Sequence, residues 1–195
     1  MKYTLKQNIQ RSLLRRISIL NLIIEDRFIF YKEDTPTLLI ERTSTKIEPL
    51  FDIKSIDGVA LYNAVHGQVL HGNEFNYSFE DKNISIKYKD DPRKLKVYVN
   101  GAEKYQCYAL KGFKLAILNH GNQVALIKRQ KKLMIVKDEY DIETESFMNP
   151  NTLLAITLFW DQNLKDDYMT DGLGASIGGD LINKNKELLN WQPKS

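Results

Sequence analysis

Between Leu153 and Trp160 every residue except Thr157 is apolar, and Asn149-Pro150 stands just ahead of the run. An asparagine side-chain oxygen can cap a helix N-terminus, and proline suits the first helical position, where no amide donor is needed. The pair therefore predicts a helix near residues 150–162. Wound at 3.6 residues per turn, Leu153, Leu154, Ile156, Leu158, Phe159 and Trp160 cover its whole circumference rather than one stripe. A helix apolar all round must be surrounded all round. At roughly ten to fourteen residues it is about 15–20 Å long, too short for the roughly 30 Å hydrocarbon core of a bilayer. Its host must then be protein, and an antiparallel sheet closed into a β-barrel around it would serve. Closure would also remove exposed sheet edges.

The rest of the chain supplies such a sheet. Short alternating or β-branched runs recur at Ile17 to Ile24, Arg27 to Tyr31, Thr37 to Glu41, Val59 to Ala64, Phe75 to Phe79, Ile84 to Tyr88 and Leu95 to Val99. They continue at Tyr105 to Leu110, Lys114 to Leu118, Val124 to Lys128 and Leu133 to Val136. Turn residues separate many of them, among them Asp57-Gly58, Asn100-Gly101 and His120-Gly121-Asn122. Asn-Gly and Asp-Gly tolerate the positive φ that a tight hairpin needs, so sequential strands should pair antiparallel. Tyr140 to Phe147 reads as a further strand with Tyr140, Ile142 and Thr144 on one face and Asp141, Glu143 and Glu145 on the other. That acidic row must meet solvent or a cation. The expected fold class is mainly β, with a barrel over residues 1–165. Residues 166–195 read as a Gly-containing flexible tail, in which Lys184 to Trp191 can form a short helix contacting through Leu188, Leu189 and Trp191.

Composition narrows the function. With 195 residues, 43% hydrophobic and 27% charged, the chain suits one soluble globular domain. The net charge of +3 is too small to demand nucleic acid. Residues 1–132 carry 23 Lys/Arg and 14 Asp/Glu, whereas residues 133–195 carry 5 and 11. Two readings follow: the halves fold together and their fields largely cancel, or the first half presents a basic face to an anionic lipid or nucleic acid. The basic N-terminus precedes an apolar run of eight residues, Ile17 to Ile24, which Asn21 breaks and no cleavage site follows. A cytoplasmic protein without a transmembrane span is expected. The single cysteine, Cys107, excludes an internal disulfide and a Cys-based zinc cluster.

Three stretches carry a family resemblance. Phe51-Asp52-Ile53-Lys54-Ser55-Ile56-Asp57-Gly58-Val59-Ala60-Leu61-Tyr62 is similar to a strand–turn–strand unit, and Phe113 to Arg129 (FKLAILNHGNQVALIKR) to an apolar hairpin closed by basic residues. Tyr140 to Gln162 couples an acidic strand to the apolar helix. Together they resemble the tubby C-terminal-like superfamily, in particular the LURP-one-related proteins and their bacterial relatives, with phospholipid scramblases as distant cousins. The resemblance implies a barrel of about twelve strands around a C-terminal helix, over roughly residues 1–163. It implies no catalytic constellation.

The residues themselves offer none either. His66, His71 and His120 lack a clustered carboxylate, and Cys107, inside a strand, reads as a small buried apolar group rather than a nucleophile. Gly172 to Gly178 is similar to a phosphate loop but follows no strand and opens no helix. No cofactor is expected. The best binding candidate is the run Lys128, Arg129, Lys131 and Lys132, placed between two strands, where it would form a local positive patch. Arg11, Arg15 and Arg16 could extend that patch, and the alternative is a solvated hairpin. Tubby proteins bind phosphoinositides through basic surface residues, so the resemblance points to an anionic phospholipid headgroup and peripheral membrane association. Scramblases place acidic residues ahead of their terminal helix in a segment proposed to bind calcium. Asp141, Glu143 and Glu145 occupy the comparable place, although a flat strand spreads carboxylates that calcium needs to converge. The expected function is a non-enzymatic binding module for an anionic headgroup or a protein partner. The alternative is an interaction protein acting through its C-terminal tail, with no lipid ligand.

Overall fold

The computed structural model describes residues 1–7, 24–44, 49–65, 67–68, 74–79, 82–88, 94–110, 112–131, 138–163 and 188–193. Ile17 to Ile23, Leu133 to Val136, Arg11, Arg15, Arg16, His66, His71, Lys132 and residues 164–187 lie outside them.

Thirteen strands are found among the described residues: β1 (Lys2–Gln7), β2 (Ile24–Lys32), β3 (Thr35–Ser44), β4 (Pro49–Ser55), β5 (Ala60–Val65), β6 (Gly67–Gln68) and β7 (Glu74–Phe79). They continue with β8 (Lys82–Lys87), β9 (Lys94–Val99), β10 (Ala102–Leu110), β11 (Lys114–Asn119), β12 (Asn122–Lys131) and β13 (Asp138–Thr144), and one helix follows, α1 (Pro150–Asn163). They form a single sheet in the order β5-β4-β3-β2-β1-β13-β12-β11-β10-β9-β8-β7-β6. Each of its ladders is antiparallel. Most neighbours are sequential hairpins, as short connections favour. The exception joins the first strand to the last, with Lys2 opposite Glu143 and Leu5 opposite Tyr140.

Hairpin chemistry follows the turn residues. Asn100-Gly101 and His120-Gly121 have positive φ at both positions, 51° and 82° in the first turn and 47° and 81° in the second. That backbone matches the twist of the flanking strands. Glu33-Asp34 does the same at 48° and 69°, without a glycine to ease it.

The inward faces make one core. Leu5, Phe30, Ile40, Ile53, Ile86 and Val97 come from β1, β2, β3, β4, β8 and β9, and β10 to β13 add Cys107, Ile117, Ile127 and Ile142. All of them pack in one cluster with α1. Leu153, Leu154, Ile156, Leu158 and Phe159 are fully buried, and Trp160 is 4% exposed. Asn149 caps the helix, its Oδ1 accepting from the amides of Asn151 at 2.9 Å and Thr152 at 3.3 Å. Thr157 fits the apolar surroundings because its hydroxyl donates to the Leu153 carbonyl at 2.7 Å. Near the other end the Tyr140 hydroxyl donates to the buried Asp161 Oδ1 at 2.6 Å, and the Tyr140 ring packs against Trp160. Among the described residues no helix is long and apolar enough to cross a membrane.

Two local expectations need correction. The acidic strand ends at Thr144, not Phe147. Beyond it the chain turns, with Met148 N donating to Glu145 O, and Phe147 is 65% exposed. The N-terminal residues, which the strand runs read from the sequence leave out, form a strand, with Tyr3 and Leu5 pointing inward from β1.

Candidate binding surface on strands β9 to β13

The basic run does not sit in a hairpin loop. Lys128, Arg129 and Lys131 belong to β12, so consecutive side chains alternate between faces. Lys128 shares the outward register of Leu126, while Arg129 lies opposite Tyr140 on the inward register and is half-buried. Lys131 pairs through its backbone with Asp138. Lys128 and Arg129 are therefore split by the pleat.

The acidic row is the neighbour of the basic one. Lys128 Nζ meets Glu143 Oε1 at 2.7 Å, Lys6 Nζ meets Glu139 Oε1 at 3.2 Å from β1, and Gln130 donates to Asp141. Each outward carboxylate of β13 thus has a donor from a flanking strand. Calcium needs six to eight oxygens at about 2.3–2.6 Å. Carboxylates two residues apart on a strand leave it about 6.6–6.8 Å apart. Glu145 lies beyond the strand end and has partners of its own. Among the described residues no group of three His, Cys, Asp or Glu converges. His120 occupies an exposed turn.

Cys107 is fully buried on the inward face of β10, and burial pushes its thiol well above the ordinary range. A thiol held protonated in an apolar core is a packing group, not a nucleophile.

Outward from β9 to β12 lies a second arrangement. Lys114 stands directly opposite Lys128, and Lys94 is opposite Tyr108, one ladder row away. Among the described residues Lys94 and Lys114 make no ion pair. Like charges placed directly across a ladder cost stability. Farther along β9, Lys96 is held by Glu103 at 2.9 Å. That hydrogen bond and charge lower the Glu103 pKa and raise that of Lys96.

Beside these lysines the outer face turns apolar. Leu110, Ala116, Leu118 and Leu126 point outward from β10, β11 and β12, yet none is more than 2% exposed. Leu188 covers them, with Leu189, Trp191 and Tyr108 packed at the margin. Leu188 and Leu189 are helical. The sequence held a signal for this cover: Leu115 to Leu118 and Val124 to Ile127 are apolar at every position instead of every second one. That pattern marks strands buried on both faces.

No family model, curated protein or solved structure matches the chain.

Proposed function

We propose that the chain is a non-enzymatic binding module on a tubby-like plan, in which the sheet closes around α1 and the outer surface takes the ligand. Closure is supported by the two ends of the strand order. β5 ends at Val65 and β6 begins at Gly67, so one residue links opposite edges. Chain geometry keeps those edges within about 7 Å at that point. β5 and β7 also approach to within 8 Å between Cα atoms. Read as one bent strand, β5 and β6 bring the barrel to about twelve staves, and the irregular registers in β2–β3, β4–β5, β9–β10 and β11–β12 supply curvature.

The ligand in this reading is anionic, such as a phospholipid headgroup. The observation that carries it is Lys114, which faces Lys128 across the ladder and makes no ion pair among the described residues, with Lys94 two strands away on the same outer face. Arg129 takes no part, and Lys128 shares its charge with Glu143. The test is co-sedimentation at low salt with neutral vesicles and with vesicles containing phosphatidylserine or phosphoinositide. Binding to the anionic vesicles should fall about fivefold for each of Lys94→Ala, Lys114→Ala and Lys128→Ala, at about 1 kcal/mol per cation near the surface. Unchanged binding of the triple variant, or no preference for anionic vesicles, overturns the reading. A second reading, a protein-interaction module, is favoured by the apolar strip under Leu188.

A further inference from the structure

The strip on β10 to β12 has the features of a docking groove already shown with an occupant. Its floor is Leu110, Ala116, Leu118 and Leu126. Four outward apolar side chains on adjacent strands would make an exposed patch of the kind that soluble proteins cover. Among the described residues, what packs on them is the helical pair Leu188 and Leu189 with Trp191, of which only Leu188 is buried, at 8% exposure. No backbone hydrogen bond joins this turn to the sheet among the described residues. Among the described residues its hold on the strip is side-chain packing, so these residues can leave without unpicking a ladder.

From this fit we propose that the groove is an exchange site: it takes the Leu188-Leu189-Asn190-Trp191 turn of its own chain, or in its place the same turn of a second copy. The inference deepens the protein-interaction reading and does not rest on the anionic-ligand one. The committed partner is therefore a second molecule of this chain, because its C-terminal turn is the one ligand whose fit is visible. Exchange of an identical element between protomers is a low-cost route to a dimer. The cis turn competes as an intramolecular ligand at an effective concentration on the order of millimolar. Dimers should therefore form weakly unless the cis turn is removed from its own groove.

Two full-length variants separate the parts. Leu188→Ser/Leu189→Ser keeps the groove and loses the turn, while Leu126→Arg keeps the turn and loses the groove. In sedimentation velocity each variant alone should be monomeric, and an equimolar mixture should give a one-to-one heterodimer. A labelled peptide of residues 184–195 is the second probe. By anisotropy it should bind the Leu188→Ser/Leu189→Ser chain at least about tenfold tighter than the wild type, since the cis competitor is gone. Adding Leu126→Arg to that chain should abolish binding. Equal peptide affinity for wild type and turn variant, or no binding to either, overturns the proposal. So does peptide binding that survives Leu126→Arg, or a mixture of two folded variants that stays monomeric. Should Leu126→Arg fail to fold, the comparison of wild type with the turn variant still decides. The turn variant leaves Lys94, Lys114 and Lys128 in place, so its vesicle binding should persist, and failure of either reading is seen apart from the other.

Discussion

Replacing Tyr140 by phenylalanine removes one oxygen from the base of the core and nothing else. The ring of Tyr140 stays against Trp160, at 5.9 Å between centroids and 58° between planes, so packing is preserved. What is lost is the 2.6 Å hydrogen bond to Asp161 Oδ1. Tyr140 is 1% and Asp161 4% exposed, so water cannot readily take the hydroxyl's place. A buried hydrogen bond contributes about 0.5–1.5 kcal/mol net, and a buried acceptor left unsatisfied costs about 1–3 kcal/mol. Both residues hold further contacts, which keeps the expected loss below the top of that range. For a chain of this size about 2 kcal/mol corresponds to a Tm drop of roughly 4–8 °C. Urea unfolding should show the midpoint move at constant slope, the sign of lost stability rather than an altered unfolded state. A cycle with Asp161→Asn should return a coupling of about 1 kcal/mol or more. A Tyr140→Phe loss below about 0.5 kcal/mol, at unchanged slope, would refute the assignment of this pair as the polar lock on α1.

Leu154→Ala should cost about 2–5 kcal/mol, because the site is enclosed and cannot collapse onto solvent, whereas Leu154→Asp should prevent soluble expression. Normal melting of the aspartate variant would show that the helix is not central. Hydrogen bonds from Lys54 to Glu41 and from Lys96 to Glu103 lower both carboxyl pKa values below the ordinary 4.5. Their stabilisation is therefore complete above pH 4.5 and lost as pH falls through the depressed values. The lysines, raised above 10.5, lose theirs as pH climbs through the raised values. Glu41→Gln/Glu103→Gln should flatten the acid limb of a Tm-against-pH curve, and an unaltered slope would dismiss these pairs.

Much of the fold was legible because local chemistry and tertiary role agree. Asn149 and Pro150 announce α1, and its apolar run, broken only at Thr157, requires enclosure. Asn100-Gly101 and His120-Gly121 announce hairpins through backbone freedom. Where local signals were ambiguous, long-range pairing decided. β1 shows two apolar residues among lysines, and its place comes from pairing with β13 at the far end of the chain. Alternation continues to Glu145, yet the ladder stops at Thr144 because the chain must turn into the helix cap. The site was harder still. Lys128 and Arg129 are adjacent in sequence but fall on opposite registers, and the acids that meet the outward donors arrive from β13. The Leu188 groove needs a strand pair and a C-terminal turn brought together, which spacing along the chain cannot express.

Hydrogen exchange resolved by residue tests the enclosed helix most directly. Amides of Leu153 to Trp160 are buried with their side chains inside the sheet, so they should exchange through global unfolding alone, among the slowest in the protein. Their opening free energy should equal that from urea unfolding. Exchange of these amides through a local opening, while β12 and β13 remain protected, would contradict a helix held at the centre of the fold.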